Sequence, residues 1–108
     1  MAEHTNETLP VEIRFYGMTR DLVGESHVEM RLPQDSTVAD LLHALAEKYG
    51  ERFSQRVMDS PGRLSRFVEL IVNGRQVDRN ALDTPLAGGD PRRAAVVNVL
   101  VLPPSAGG

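Results

Sequence analysis

The chain has 108 residues and no cysteine. Disulfides, thiolate metal sites and cysteine nucleophiles are therefore excluded, in keeping with an intracellular protein. Long basic blocks are missing too, and the formal charge is only -3. Nucleic acid is not an expected partner, and the Arg92-Arg93 doublet reads as a solvated turn. No apolar run is long enough to span a bilayer. Met1 to Thr8 is polar and has no apolar centre, so neither a membrane span nor a secretory signal is expected. The cytoplasm is the expected compartment. Lysine occurs once, at Lys48, which disfavours self-linked chains of copies.

Chemistry within the body is equally sparse. His4, His27 and His43 lack metal-ligand spacing, and the carboxylates form no recognisable acid/base pair. Ser54, Ser60, Ser65 and Ser105 have no His/Asp framework around them. Gly88-Gly89 lacks the lysine and following helix of a phosphate loop and reads as a turn. No cofactor is assigned to this chain.

What is present is one small domain's worth of strands and a helix. Residues 1–9 read as a flexible leader, 10–102 as the folded domain and 103–108 as a flexible tail. Val11, Ile13 and Phe15 alternate with Glu12, Arg14 and Tyr16, which predicts a half-buried strand ended by Gly17. Met18 to Glu25 reads as a connection. Val28, Met30 and Leu32 predict a second strand, antiparallel to the first and closed by Pro33. Thr37 and Asp40 form a capping-box pattern before a helix whose face is Val38, Leu41, Leu42, Leu45 and Tyr49. Gly50 marks its end.

Glu51 to Ser65 is the least patterned stretch, in which Phe53 and Val57 extend the helix or pack a short turn. Phe67 to Val72 reads as a strand and Asn73-Gly74 as a type I′ turn leading to a short return strand, Arg75 to Asp78. Ala94 to Leu102 is the last strand. A strand pair, a helix and later strands give an α+β fold. The expected arrangement is a β-grasp: a mixed sheet on one main helix, with the first and last strands parallel.

One convincing helix covers one sheet face. Val68, Leu70 and Val72 share one side of their strand, and Leu100 and Leu102 lead directly into the tail. Val68, Leu70, Leu100 and Leu102 are therefore candidates for an apolar docking surface. Alternatively, the Glu51–Ser65 connection covers the second face.

The ending is Pro103-Pro104-Ser105-Ala106-Gly107-Gly108. The prolines close the strand and favour extended backbone. Gly107 and Gly108 have no β-carbon, so a thin arm would end in a carboxylate. A frayed terminus has the same composition. A carboxylate is a poor acyl donor, so this one needs a partner to activate it.

Several stretches together resemble the ubiquitin-like sulfur-carrier family, nearest the small subunit of molybdopterin synthase. They are Val11 to Phe15, Leu32-Pro33 with Thr37 to Leu42, Val72-Asn73-Gly74, Leu86 to Asp90, and the Leu102 to Gly108 ending. The resemblance covers Val11 to Gly108. It implies a carrier that is not itself a catalyst, though part of an enzyme complex. An adenylating enzyme related to ubiquitin-activating enzymes would activate Gly108 with ATP, and a sulfur donor would convert it to a thiocarboxylate. The tail would then enter the molybdopterin synthase large subunit and deliver sulfur to a pterin precursor of the molybdenum or tungsten cofactor. On this resemblance Gly108 is the reacting position and Gly107 keeps the approach narrow. Pro103, Pro104, Ser105 and Ala106 would be bound by the partner. Other members would serve other sulfur pathways or act as protein modifiers. Two segments, Pro91 to Ala95 and Gln55 to Arg66, run longer than that family's pattern and bear on which partner is served.

Overall fold

Alternating apolar residues build the centre of the sheet. In the computed structural model, which describes residues 7–88 and 93–102, strand β1 runs Thr8–Gly17. It buries Leu9, Val11, Ile13 and Phe15 and turns Arg14 and Tyr16 outward. The strand thus takes in Thr8 and Leu9, which on sequence fall in the leader. Helix α1, Met18–Val23, follows directly and ends at Gly24 in the left-handed conformation. This helix is not expected from the sequence, where the segment carries only a weak apolar signal. Strand β2, His27–Pro33, pairs antiparallel with β1 through seven consecutive residue pairs.

Helix α2, Val38–Tyr49, begins with the expected reciprocal cap. Thr37 N–H donates to Asp40 Oδ2 at 2.9 Å, and Asp40 N–H donates to Thr37 Oγ1 at 3.4 Å. Two further helix-end donors, Val38 N–H and Ala39 N–H, reach the carbonyls of Thr84 and Leu82. The usual orphan groups of a helix start are thereby satisfied by a neighbouring loop. Val38, Leu41, Leu42 and Leu45 are buried beneath it.

Gly50 breaks the helix, and α3, Glu51–Val57, starts at the next residue, burying Phe53 and Val57. Strands β3, Met58–Ser60, and β4, Arg63–Leu64, form a separate two-stranded ribbon. The long segment Gln55–Arg66 is therefore largely structured. Its Leu64 joins the same core as Phe53 and Val57, alongside α2.

Strand β5, Val68–Val72, and the two-residue β6, Arg75–Gln76, are joined by Asn73-Gly74. Both turn residues have positive φ, 52° and 86°, as a type I′ hairpin requires. Strand β7, Ala95–Val101, completes the sheet. The order is β2-β1-β7-β5-β6, with β1 and β7 parallel and the other pairs antiparallel. This is the β-grasp fold, with the helices on one face of a mixed sheet. Each large apolar side chain buried in that layer contributes about 1.5–3 kcal/mol.

Candidate functional site

The last strand lies at the centre of the sheet, so its end is held from several sides. Gly17 of β1 is in register with Val101. Immediately after Gly17 the chain turns into α1 and buries Thr19 completely. The Val101 N–H donates to Thr19 Oγ1 at 2.7 Å. On the opposite side the Leu102 N–H donates to the Phe67 carbonyl at 2.7 Å. Gly17 has φ 60° and ψ -132°, and a β-carbon there would stand 3.3 Å from Leu100 Cδ1. Both the backbone conformation and the close approach therefore call for glycine.

Alternation then decides what surrounds this root. Val97, Val99 and Val101 face the helices, while Val96, Asn98 and Leu100 face the other side and are half-buried. In register, Leu100 stands beside Tyr16 on β1 and Glu69 on β5. Tyr16, Leu102 and Phe67 are 44%, 37% and 36% exposed. They are the most exposed large apolar side chains among the described residues, and all three gather around Leu100 at one end of the uncovered face. Arg66 lies 5.4 Å from the Phe67 ring centroid, within cation–π range.

Towards the middle of that face the surface turns polar. Arg14 Nε donates to Glu12 Oε2 at 2.9 Å, and this bond, with the carboxylate's charge, raises the guanidinium pKa. On the helix side a cleft of about 210 Å³ adjoins Val101, lined by Met18, Asp21, Leu22, Arg52 and Arg56. Among the described residues, no three His, Asp or Glu side chains converge as metal ligands would.

The expected docking residues separate into two groups. Leu100 and Leu102 lie on the open face beside the root. Val68 and Leu70 do not: both are buried in the core beneath the helices. The pairing explains this, because Leu70 is opposite Val99 and Val68 is opposite Val101, while Leu100 is opposite Glu69. The open face takes Phe67 in their place. Pro103, Pro104, Ser105, Ala106, Gly107 and Gly108 lie outside the described residues, as do Pro91 and Arg92 of the extended turn.

Sequence reasoning missed Gly17, Thr19, Tyr16 and Phe67. Tyr16 follows the polar alternation of its strand, and Gly17 reads as an ordinary terminator. The function of Thr19 depends on a contact 82 residues away along the chain.

A β-grasp body that fixes the root of its final strand beside an apolar surface defines a ubiquitin-like protein. The chain belongs to the ThiS family, whose model matches residues 13–108. It is 32% identical over 101 residues to small archaeal modifier protein 3 of Haloferax volcanii, covering 93% of this chain and all of that protein. The solution structure of the Haloferax volcanii HVO 2177 protein superposes with a TM-score of 0.72 at 27% identity, covering 100% of this chain and 94% of that one. The crystal structure of SAMP1 from Haloferax volcanii gives 0.70 at 23% identity, covering 92% and 99%, and at that identity shows the fold alone.

These relatives correct the resemblance drawn from sequence. The relative matched along its whole length at 32% identity is named as a modifier, not as the small subunit of molybdopterin synthase. The thiocarboxylate route to a pterin precursor falls with it, and so does the molybdopterin synthase large subunit as partner. The residues that suggested that assignment, a capped helix start, an Asn-Gly hairpin and a Pro-Pro to Gly-Gly ending, meet demands of fold and tail. Such demands do not distinguish one member of the fold from another.

Proposed function

We propose that this chain is a ubiquitin-like protein modifier, joined through Gly108 to amino groups of other proteins. An adenylating enzyme related to ubiquitin-activating enzymes would use ATP to convert the Gly108 carboxylate into an acyl-adenylate, releasing pyrophosphate. A target amine then attacks the glycyl carbonyl, the amide bond forms and AMP leaves. The chain is thus the substrate of these steps, and ATP belongs to the enzyme. The observation that carries the reading is 32% identity along the whole of a protein named as a modifier.

The chemistry of the ending supports the same reading. Gly107 and Gly108 let the arm enter a narrow site and let the amine approach the carbonyl. Pro103 and Pro104 restrict the arm's root and reduce the ordering cost of binding. Ser105 and Ala106 add little bulk. Leu100 and Leu102, with Tyr16 and Phe67, would form the surface on which the adenylating enzyme seats the body.

The test is incubation of the purified chain with such an enzyme, ATP and cell protein, followed by mass spectrometry. Amide-linked adducts through Gly108 are expected, and Gly108→Ala is expected to fold normally yet form far fewer. Exchange of a Gly108 oxygen for sulfur with no adducts at all would overturn the proposal.

A further inference from the structure

Strand β2 is an edge of the sheet: it pairs with β1 on one side and with no strand on the other among the described residues. Seven residues long, its ladder with β1 runs without a bulge. There is no lysine in it, and its one proline, Pro33, comes last. Its lack of a lysine, a bulge or an internal proline leaves, among the described residues, a row of backbone donors and acceptors open to another strand.

The side chains indicate which strand would fit. His27, Glu29, Arg31 and Pro33 are exposed on one face, and Val28, Met30 and Leu32 are half-buried on the other. Consider a second copy approaching antiparallel with Met30 opposite Met30. Glu29 then faces Arg31 of the other copy, and Arg31 faces its Glu29, while Val28 meets Leu32 on the apolar side. Shifting the centre by one residue either way places Glu29 against Glu29 or Arg31 against Arg31. Like charges directly opposite are unfavourable and opposite charges favourable, so charge selects one self-pairing out of the three.

The single copy also leaves Glu29 poorly matched. Its partner across the β1–β2 ladder is Glu12, another carboxylate, which is already engaged by Arg14. Among the described residues, Glu29 has no cation within ion-pair distance. Arg31, by contrast, is held on the same face by a hydrogen bond from Nη1 to Thr8 Oγ1 at 3.1 Å.

We propose that β2 is the self-association edge of this protein, joining two copies antiparallel about Met30. The two sheets become one continuous sheet with a two-fold axis perpendicular to it. Both open faces then lie on the same side. The two β7 strands run in opposite directions, so the tail roots point to opposite ends. An edge pairing of this length is small, so the dimer is weak and reversible, visible only at high concentration.

The test is sedimentation equilibrium of the full chain at low salt, up to roughly millimolar concentration. A concentration-dependent dimer weakened by added salt is expected. Glu29→Arg and Arg31→Glu each replace two attractive pairs with two repulsive ones and should weaken association by about tenfold or more. The double variant restores both pairs and should regain the dimer, with thermal melts confirming that all three fold. A chain that stays monomeric throughout, leaving the edge to some other peptide, overturns the proposal. So does a dimer indifferent to the single reversals, or one that the double variant fails to restore.

Discussion

Replacing Thr19 with valine keeps the branched shape of the side chain and removes the oxygen that accepts the Val101 N–H. Both residues are buried, so water cannot take over. A buried donor left without its partner costs about 1–3 kcal/mol. In a domain of this size each kcal/mol corresponds to roughly 4–8 °C in Tm, so Thr19→Val is expected to melt at least about 4 °C lower. Thr19→Ser separates the bond from the packing. It keeps the hydroxyl and loses one methyl group, a cost of about 0.8 kcal/mol. Amide hydrogen exchange gives the decisive readout. Protection of the Val101 amide should collapse in the valine variant and survive in the serine variant. Equal protection of Val101 in the wild type and Thr19→Val would refute the idea that Thr19 pins the strand end.

Other perturbations test the same frame. Gly17→Ala forces an L side chain into a glycine-type conformation and against Leu100, and should cost about 1–3 kcal/mol in denaturant melts. Leu70→Asp places a carboxylate in the core and should leave too little stability to fold. Leu100→Asp, on the open face, should fold and instead weaken binding to the adenylating enzyme. Tyr49→Phe should flatten the alkaline stability profile. Burial first, then the hydrogen bond that Tyr49 Oη donates to Glu25, raises the phenol's pKa above its usual 10. The wild type therefore keeps this contribution below about pH 10 and loses it as pH climbs through the folded-state value, whereas the phenylalanine variant has no phenol to ionise.

Much of the fold could be read from the sequence because local signals agree with tertiary demands. Thr37 and Asp40 cap the helix as their spacing predicts, and Asn73-Gly74 makes the turn that two positive φ angles need. The short helices were harder. Met18–Val23 and Glu51–Val57 offer too few turns for periodicity, and packing stabilises them more than propensity does.

The site was legible only in part. Both sides of β5 carry apolar residues and Glu69 alone marks the outward one, so composition is a thin guide to which side meets the helices. Register decides it, placing Leu70 beneath the helices and Phe67 with Leu102 in the open. Thr19 had no sequence signal at all, because its partner is remote. The Gly-Gly ending pointed to activation of the terminal carboxylate, but what receives that acyl group is not encoded in the tail's own chemistry.

The most direct measurement is therefore of the acceptor. Proteolytic digests of material conjugated with the adenylating enzyme and ATP can be searched for branched peptides. The modifier reading predicts target lysines whose ε-nitrogen carries the chain's last peptide through Gly108, with the signal lost when ATP is withheld. Activation of Gly108 without any such branched peptide would contradict it.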